Sequence, residues 1–325
     1  MRDIAVIILN WNGEEDTIEC LESLDSQSIY DIFLLDNGSR DKSIEAIRNY
    51  LEKSKYSYCE VINSIEVDND INLYFVLSHD NKGFAKGNNF VVEQIKNTYE
   101  YILLLNNDTE VPADTIASML NTLKAHELSA VTCDIRYYAD KNALWNAGGK
   151  FTWYGDRKYF AQKIIDKKEL LGENFIFAEF ITGCALLVDS TYIRKYGLFT
   201  DKFFHGEEDY NFCLNLKKRG LKAGVDLSVR LYHKVGKSLK PEENINRYFN
   251  ACTVHYSNRI IDYKEFMSKG QWIFWREFYL ALIFLKRSLN GMNIKEAYKL
   301  VRKIHKITST NNSIQKELFD EIMGY

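Results

Sequence analysis

The chain opens with an unbroken apolar run, Ile4 to Leu9, that stops at Asn10. A run with no polar alternate positions reads as a strand covered on both faces. A helical period follows from about Glu15 to Ser26, with Ile18, Leu21 and Leu24 on one side. The segment IFLLDNGS (32–39) predicts a second strand ending in Asp36 and a turn, and Asp41 is placed to cap a helix over about 42–53. LYFVLSHD (73–80) predicts a third strand, followed by the polar stretch NKGFAKGNN and a helix over about 88–97. YILLLNND (101–108) is the fourth strand; a helix over about 113–125 and a strand at LSAVTCDI (128–135) follow. The stretch 59–72, CEVINSIEVDNDIN, fits no element.

Strand and helix therefore alternate at short intervals through the first half, the signature of a mostly parallel, doubly wound sheet. Each apolar run ends in polar residues: Asn10, Asp36, His79 to Asn81, and Asn106 to Asp108. Ligands of open α/β sheets sit beyond the carboxyl ends of the strands. The amides and carboxylate are thus expected at the rim of a binding crevice, with the strands as rigid support.

The pattern changes near Trp145. LWNAGGKFTWYGDRKYF is rich in aromatics and glycine and predicts loops or a hairpin. FAEFITGCALLVDS (177–190) reads as one strand, and TYIRKYGLF as a short helix ending at Gly197. FFHGEEDYNFCLNLKKRG is an acidic loop running into a helix that stops at Gly220; AGVDLSVRLYHKVGKS is a strand plus a loop. After Pro241 the chain reads as mainly helical.

Length and composition set limits. The 325 residues, 46% hydrophobic and 14% aromatic, suffice for a large α/β core with additions. A net charge of -3 argues against a general nucleic-acid binder. Six scattered cysteines with no C-x-x-C pair suit reduced core thiols in a cytoplasmic protein, with neither a zinc site nor a disulfide frame. The N-terminus has no signal-peptide pattern, and the strongest apolar stretch, Trp272 to Leu285, is too short and too polar to span a bilayer.

Several residues could carry chemistry. An Asp at the end of the second strand suits a ribose or a base. Neither G-x-G-x-x-G nor a phosphate-binding G-x-x-x-x-G-K-[ST] is present, so a phosphate-bearing ligand needs a metal or basic side chains. Asp108 is a hard oxygen ligand of the kind Mg2+ or Mn2+ prefers. Equally, Asn107-Asp108-Thr109 can be a simple strand-to-helix turn. The acids of HGEEDYN (205–211) either complement a helix N-terminus or supply a general base. His233, at a strand end, is a candidate ligand or a plain satisfied histidine.

Taken in order, VIILNWNG, LLDNGSRD, NKGFAKGNN, LLLNNDTEV, ITGCALLVD, FFHGEEDYNFCLNLKKRG and VRLYHKVGKS resemble the family 2 inverting glycosyltransferases of GT-A fold. The likeness runs over about 3–260 and lies nearest the rhamnosyl- and galactofuranosyltransferase-like branch that builds bacterial surface polysaccharide. The resemblance implies a Rossmann-like mixed sheet flanked by helices. A nucleotide-binding half (about 1–110) and an acceptor half (about 111–240) would form one catalytic domain, with a helical extension over 241–325. It implies a nucleoside-diphosphate sugar donor, dTDP- or UDP-linked, and a saccharide or lipid-linked acceptor. Asn10 and Asp36 match positions that hold base and ribose; Asn81, Lys82, Gly83 and Asn88 match the loop over the nucleotide. Asn106, Asn107 and Asp108 match the D-x-D motif with Asn in its first place, leaving Asp108 as principal ligand of Mn2+ or Mg2+, completed by His233. Asp209 matches the catalytic base, with Glu208 beside it. Trp145, Thr182 and Gly183 would line the acceptor side, and Trp153 could stack on a sugar. Where many relatives carry an Asp two residues after the base and a later Arg, this chain has Asn211 and Asn215.

The C-terminal stretch from Trp272 to Ile307 combines aromatics with Lys286, Arg287, Lys295, Lys299, Arg302, Lys303 and Lys306. That composition suits a helix lying on an anionic membrane surface; the other readings are packing on the catalytic domain or a homodimer contact. Two rival functions remain. A sugar nucleotidyltransferase needs a glycine-rich loop after the first strand, where LNWNGEED stands instead. A non-catalytic nucleotide-sugar-binding scaffold would lack the base.

Overall fold

The structure, a computed structural model, describes residues 2–24, 29–62, 64–235 and 245–324. Residues near the expected 240/241 boundary, Pro241 and the loop beyond Val235 lie outside the described residues, as does the expected end of the first helix at Ser26.

The elements are β1 (Ile4–Asn10), α1 (Glu14–Leu24), β2 (Tyr30–Asp36), α2 (Ser43–Leu51), β3 (Tyr58–Val61), β4 (Leu73–Leu77), α3 (Gly83–Ile95), β5 (Tyr101–Asn106), β6 (Thr109–Glu110), α4 (Thr115–Ala125) and β7 (Ala130–Tyr137). Then come β8 (Leu144–Asn146), β9 (Gly149–Phe151), β10 (Arg157–Tyr159), α5 (Gln162–Leu170), β11 (Phe175–Ala178), β12 (Ala185–Asp189), α6 (Ser190–Tyr196), α7 (Glu208–Lys218) and β13 (Ala223–His233). The chain finishes with α8 (Ile245–Asp262), α9 (Lys269–Leu289), α10 (Ile294–Thr310) and α11 (Lys316–Met323).

One mixed sheet runs β11-β13-β7-β12-β5-β1-β2-β4-β3, with β6 attached to β13 and β8 to β7. The strands β5-β1-β2-β4-β3 pair in parallel. β12 enters antiparallel between β5 and β7. Strand faces explain the unbroken apolar runs. Along β1, Ala5 and Ile7 join one core cluster while Ile4, Val6 and Ile8 join the other; β5 divides in the same way, with Ile102 and Leu104 on one side and Leu103 and Leu105 on the other. Both faces of these two strands are packed, so their interiors stay apolar until the chain leaves the sheet.

Three expectations are corrected. The stretch 177–190 is not one strand but β11 and β12. Between them Phe180 leaves the main sheet and bridges Gly149, whose amide donates to the Phe180 carbonyl at 3.0 Å. The third helix begins at Gly83, five residues before the expected Asn88. Asn81 Oδ1 accepts the Gly83 amide at 2.8 Å and satisfies the first turn; Gly83 and Gly87 hid its helical character. The unassigned stretch 59–72 supplies most of β3, an edge strand parallel to β4. At the second helix, Asp41 does accept the Ser43 amide, at 2.9 Å.

The C-terminal helices pack inward. Trp272, Trp275, Tyr279, Leu280 and Ile283 of α9 form a core with Tyr256 and Ile260 of α8 and Leu300 and Ile304 of α10. Ser268 caps α9 reciprocally with Gln271. No described helix is long and apolar enough to cross a membrane.

Gly83 has φ +78°, and a Cβ there would stand 2.3 Å from the Phe204 carbonyl oxygen. Gly172 has φ +69° with open space around it. Gly172→Ala should cost only left-handed strain, about 1–2 kcal/mol. Gly83→Ala should add a packing clash of about 1–3 kcal/mol. Urea unfolding midpoints at constant slope check the difference.

Candidate active site

Three strand ends carry a continuous polar rail. Asp36 closes β2 fully buried, accepting from the Ser39 amide at 2.9 Å, the Ser39 hydroxyl at 2.6 Å and Asn10 Nδ2 at 2.8 Å. Asn10, at the end of β1, accepts through Oδ1 from the Thr17 hydroxyl at 2.9 Å. Thr17 in turn accepts from Asn107 Nδ2 at 2.9 Å. The parallel register Asn10↔Asp36 and Leu9↔Asn106 aligns these ends. The rail joins Asp36, Asn10 and Asn107, and Thr17 and Ser39 are partners the sequence reading missed. Asn106 contributes backbone: its carbonyl accepts from the Thr109 hydroxyl at 2.7 Å.

The 81–83 loop is tied to the same rim by another missed residue, Asn37. Its Oδ1 accepts the Lys82 amide at 3.0 Å, and its Nδ2 donates to Asn81 Oδ1 and the Gly83 carbonyl, each at 3.2 Å. Lys82 lies with Nζ 5.3 Å from the Phe90 ring centre. Asn88 sits apart from this knot: it is buried one turn into α3, donating to the Phe84 carbonyl at 2.9 Å.

Asp108 and His233 meet because β6 pairs antiparallel with the end of β13, placing Thr109 opposite His233. His233 Nε2 lies 2.9 Å from Asp108 Oδ1, and the Lys234 amide donates to the Asp108 carbonyl at 2.9 Å. The Trp145 ring stands edge-on to the imidazole, centroids 4.3 Å apart. Trp153 is elsewhere, 87% exposed and stacked on Phe278. No group of three His, Cys, Asp or Glu fit to hold a metal occurs among the described residues. A carboxylate oxygen and an imidazole nitrogen 2.9 Å apart are the donor types that suit a Mn2+ or Mg2+ ion completing its shell with phosphate oxygens and water.

Asp209 lies in the first turn of α7, and its Oδ2 accepts the Gly183 amide at 3.3 Å. Thr182 turns this loop, its hydroxyl accepting the Cys184 amide at 3.2 Å. The Cys184 carbonyl accepts the Asn106 amide at 2.8 Å. One short path therefore links Asp209, Gly183, Cys184, Asn106 and Asp108. Burial pushes the Asp209 carboxyl up to about 6, held back by the Arg157 charge and the Gly183 amide. Burial and the neighbouring Asp209 charge push Glu208 further, to about 8. Both carboxyls are thus raised, Glu208 further than Asp209. Two adjacent raised acids, with Glu208 Oε2 buried and unpartnered among the described residues, suit proton transfer.

The loop before Asp209 is held under strain. Glu207 adopts φ +87°, a conformation rare for non-glycine residues. Its buried carboxylate pairs with Arg157 of β10, whose guanidinium lies over the Tyr210 ring. Asn258 of α8 donates to the carbonyls of His205 and Gly206, each at 3.0 Å. The first acid of GEED gave some signal for Glu207; nothing in the sequence singled out Arg157 or Asn258.

The sheet order and helical layers define a GT-A type α/β domain. A model described as glycosyl transferase family 2 matches residues 5–188, more than half of the chain, and the chain belongs to that family. The match ends before α7 and β13. Solved structures agree on the fold. The mannosyltransferase PcManGT from Pyrobaculum calidifontis, in complex with GDP-Man and Mn2+, aligns over 99% of this chain and 86% of its own at TM-score 0.53 and 14% identity. GalNAc-T7 with UDP, GalNAc and Mn2+ aligns over 100% of this chain at TM-score 0.60 and 12% identity, and this chain spans 57% of that one. TarS 1-349 of S. aureus in complex with UDP aligns over 93% of this chain and 79% of its own at TM-score 0.51 and 13% identity. No curated protein matches the sequence.

Arg157 favours the charged form of Asp209, so its removal raises the Asp209 pKa. Activity should fall on the acid side with a midpoint near pH 6, as Asp209 takes up its proton. Arg157→Gln should move that limb to higher pH by up to one unit, about 1.4 kcal/mol of lost interaction. A pH profile of kcat/KM for both forms checks the sign.

Proposed function

We propose that the protein is an inverting glycosyltransferase that moves a sugar from a nucleoside diphosphate to a hydroxyl of a saccharide or lipid-linked acceptor. The observation that carries this reading is the half-buried Asp209 carboxylate, fixed by the Gly183 amide and connected through Cys184 and Asn106 to the Asp108–His233 pair. The candidate base, in the first turn of α7, is tied to the loop that enters β12, and the candidate cation site follows the end of the adjoining β5. The Glycosyl transferase family 2 match and the donors named with the similar structures, GDP-Man and UDP, support a nucleotide-sugar donor. Within that class the ordered motifs favour a dTDP- or UDP-sugar and the rhamnosyl- and galactofuranosyl-like branch, hence surface-polysaccharide synthesis.

In this reading Asn10, Asp36 and Asn107 shape the edge against base and ribose, and Asn37 holds Asn81 to Gly83 over the diphosphate. Asp108 and His233 would hold Mn2+ or Mg2+, which when bound neutralises charge on the departing diphosphate. Asp209 takes the proton of the acceptor hydroxyl as that oxygen bonds the anomeric carbon. The carbon–phosphate oxygen bond breaks, its electron pair leaves with the diphosphate, and one displacement inverts the centre. With its pKa near 6, Asp209 is a better base than an ordinary aspartate yet stays ionised at neutral pH.

Asp209→Asn should lower turnover by roughly 100- to 10,000-fold while leaving the nucleoside-diphosphate dissociation constant within about two-fold. Release of nucleoside diphosphate from the donor, with and without acceptor, and calorimetric titration separate the two effects. Near-normal turnover in the variant would remove Asp209 from the base role. The anomeric proton coupling of the product should report inversion; retention would contradict the single displacement.

A further inference from the structure

The inward face of α9 is fully used, but its outward face is not polar. Phe274 (79% exposed), Phe278 (37%), Leu285 (54%) and Leu289 (84%) recur at helical spacing and form one solvent-facing stripe. Trp153, 87% exposed on the β9–β10 turn, stacks on Phe278 and widens it. At the α9–α10 corner, Ile294 (68% exposed) and Tyr298 (56%) of α10 and Phe284 of α9 line an open, mostly apolar groove of about 700 Å³. Lys295, Lys299 and Arg302 line the same groove.

These cations differ from the others nearby. Lys286 is tied to Asp156 at 2.9 Å, and Arg287 to the hydroxyls of Tyr248 and Tyr256. Lys295, Lys299, Arg302 and Lys306 form no ion pair with any described residue, and Glu296 is the lone acid from 286 to 306. The whole chain carries -3, so this face inverts the overall sign. A contiguous apolar stripe is costly to leave in water, and unpaired cations along its edge attract negative charge within a Debye length of about 10 Å. Aromatic and aliphatic side chains rimmed by unpaired Lys and Arg fit a headgroup layer, where the rings enter the acyl boundary and the cations meet phosphates.

We propose that the α9–α10 face, with Trp153, docks the protein on an anionic lipid bilayer. The capping box and buried tryptophans keep α9 packed on α8 and α10, so docking needs no unfolding. Binding through this face is independent of the transferase reading, since it requires neither donor nor acceptor.

The test uses the full chain and co-sedimentation with vesicles of phosphatidylcholine alone or mixed with phosphatidylglycerol. Binding should require the anionic lipid and weaken as salt rises. The Lys295→Gln/Lys299→Gln/Arg302→Gln variant should lose partitioning by on the order of 100-fold. Phe274→Ser/Leu289→Ser should lose it even at low salt. All these side chains are exposed, and unchanged melting temperatures verify folding. Donor hydrolysis in solution should be unaffected by either variant. Equal binding to neutral and anionic vesicles, or anionic binding indifferent to both variants, would overturn the proposal. Light scattering supplies the other decisive outcome: a dimer dispersed by Phe274→Ser/Leu289→Ser, without vesicle binding, would assign the face to a second copy of the chain instead.

Discussion

The antiparallel entry of β12 beside β5 is the constraint on which the rest of the site depends. Five residue pairs, from Ala185 opposite Leu105 to Asp189 opposite Tyr101, align the two strands. Because they run in opposite directions, the start of β12 meets the end of β5. The Asn106 amide then donates to the Cys184 carbonyl at 2.8 Å, and the loop carrying Thr182 and Gly183 is held beside the polar end of the parallel half. A one-residue slip would turn every buried side chain of β12 to the opposite face, and both faces are packed core. The register is therefore strongly fixed, and with it the relation between Asp108 and the Gly183 amide that receives Asp209.

The parallel half was legible because its strands are covered on both faces. Continuous apolar runs ended abruptly at Asn10, Asp36 and Asn106, and the structure brings those ends into one rail. Legibility failed where side chains replace periodicity. Gly83 to Gly87 looked like a loop because the helical first turn is closed by Asn81 and Asn37. Phe177 to Ser190 looked like one strand because its break is made by a distant partner, Gly149. Most of the edge strand β3 was hidden in a polar stretch, since an edge has no need of an apolar run. Asp209 and Asp108 could be named from motifs, but the Arg157–Glu207 pair depends on a hairpin and a helix more than forty residues apart in sequence, a separation of 50.

The C-terminal helices are bound into the candidate site rather than appended to it. Asp156, next to Arg157, accepts from Arg259 of α8 at 2.6 Å and Lys286 of α9 at 2.9 Å. Asn211 of α7 donates to Asp262 of α8, and Asn258 holds the carbonyls before Glu207. Asn211, where many relatives of the resemblance carry Asp, is thus a donor to a buried acid whose own pKa burial drives upward. An Asp in that place would add a second buried carboxylate against Asp262, and would need another partner to be tolerated. Helix α8 in this way holds the loop before Asp209, and strain at Glu207 is maintained by contacts from β10 and α8 together.

The central claim is that the strand-end rail, Asp108 and His233 together hold a nucleoside diphosphate through a divalent cation. The most direct measurement is the melting temperature of the protein with UDP, dTDP or GDP, each with and without Mn2+. Ligand at 100 times its dissociation constant stabilises the folded state by about 2.7 kcal/mol, a readable rise. The account predicts a rise with one nucleotide series that needs Mn2+ and is lost in Asp108→Ala. No rise with any nucleotide, or a rise equal with and without Mn2+ and unchanged in Asp108→Ala, would contradict it.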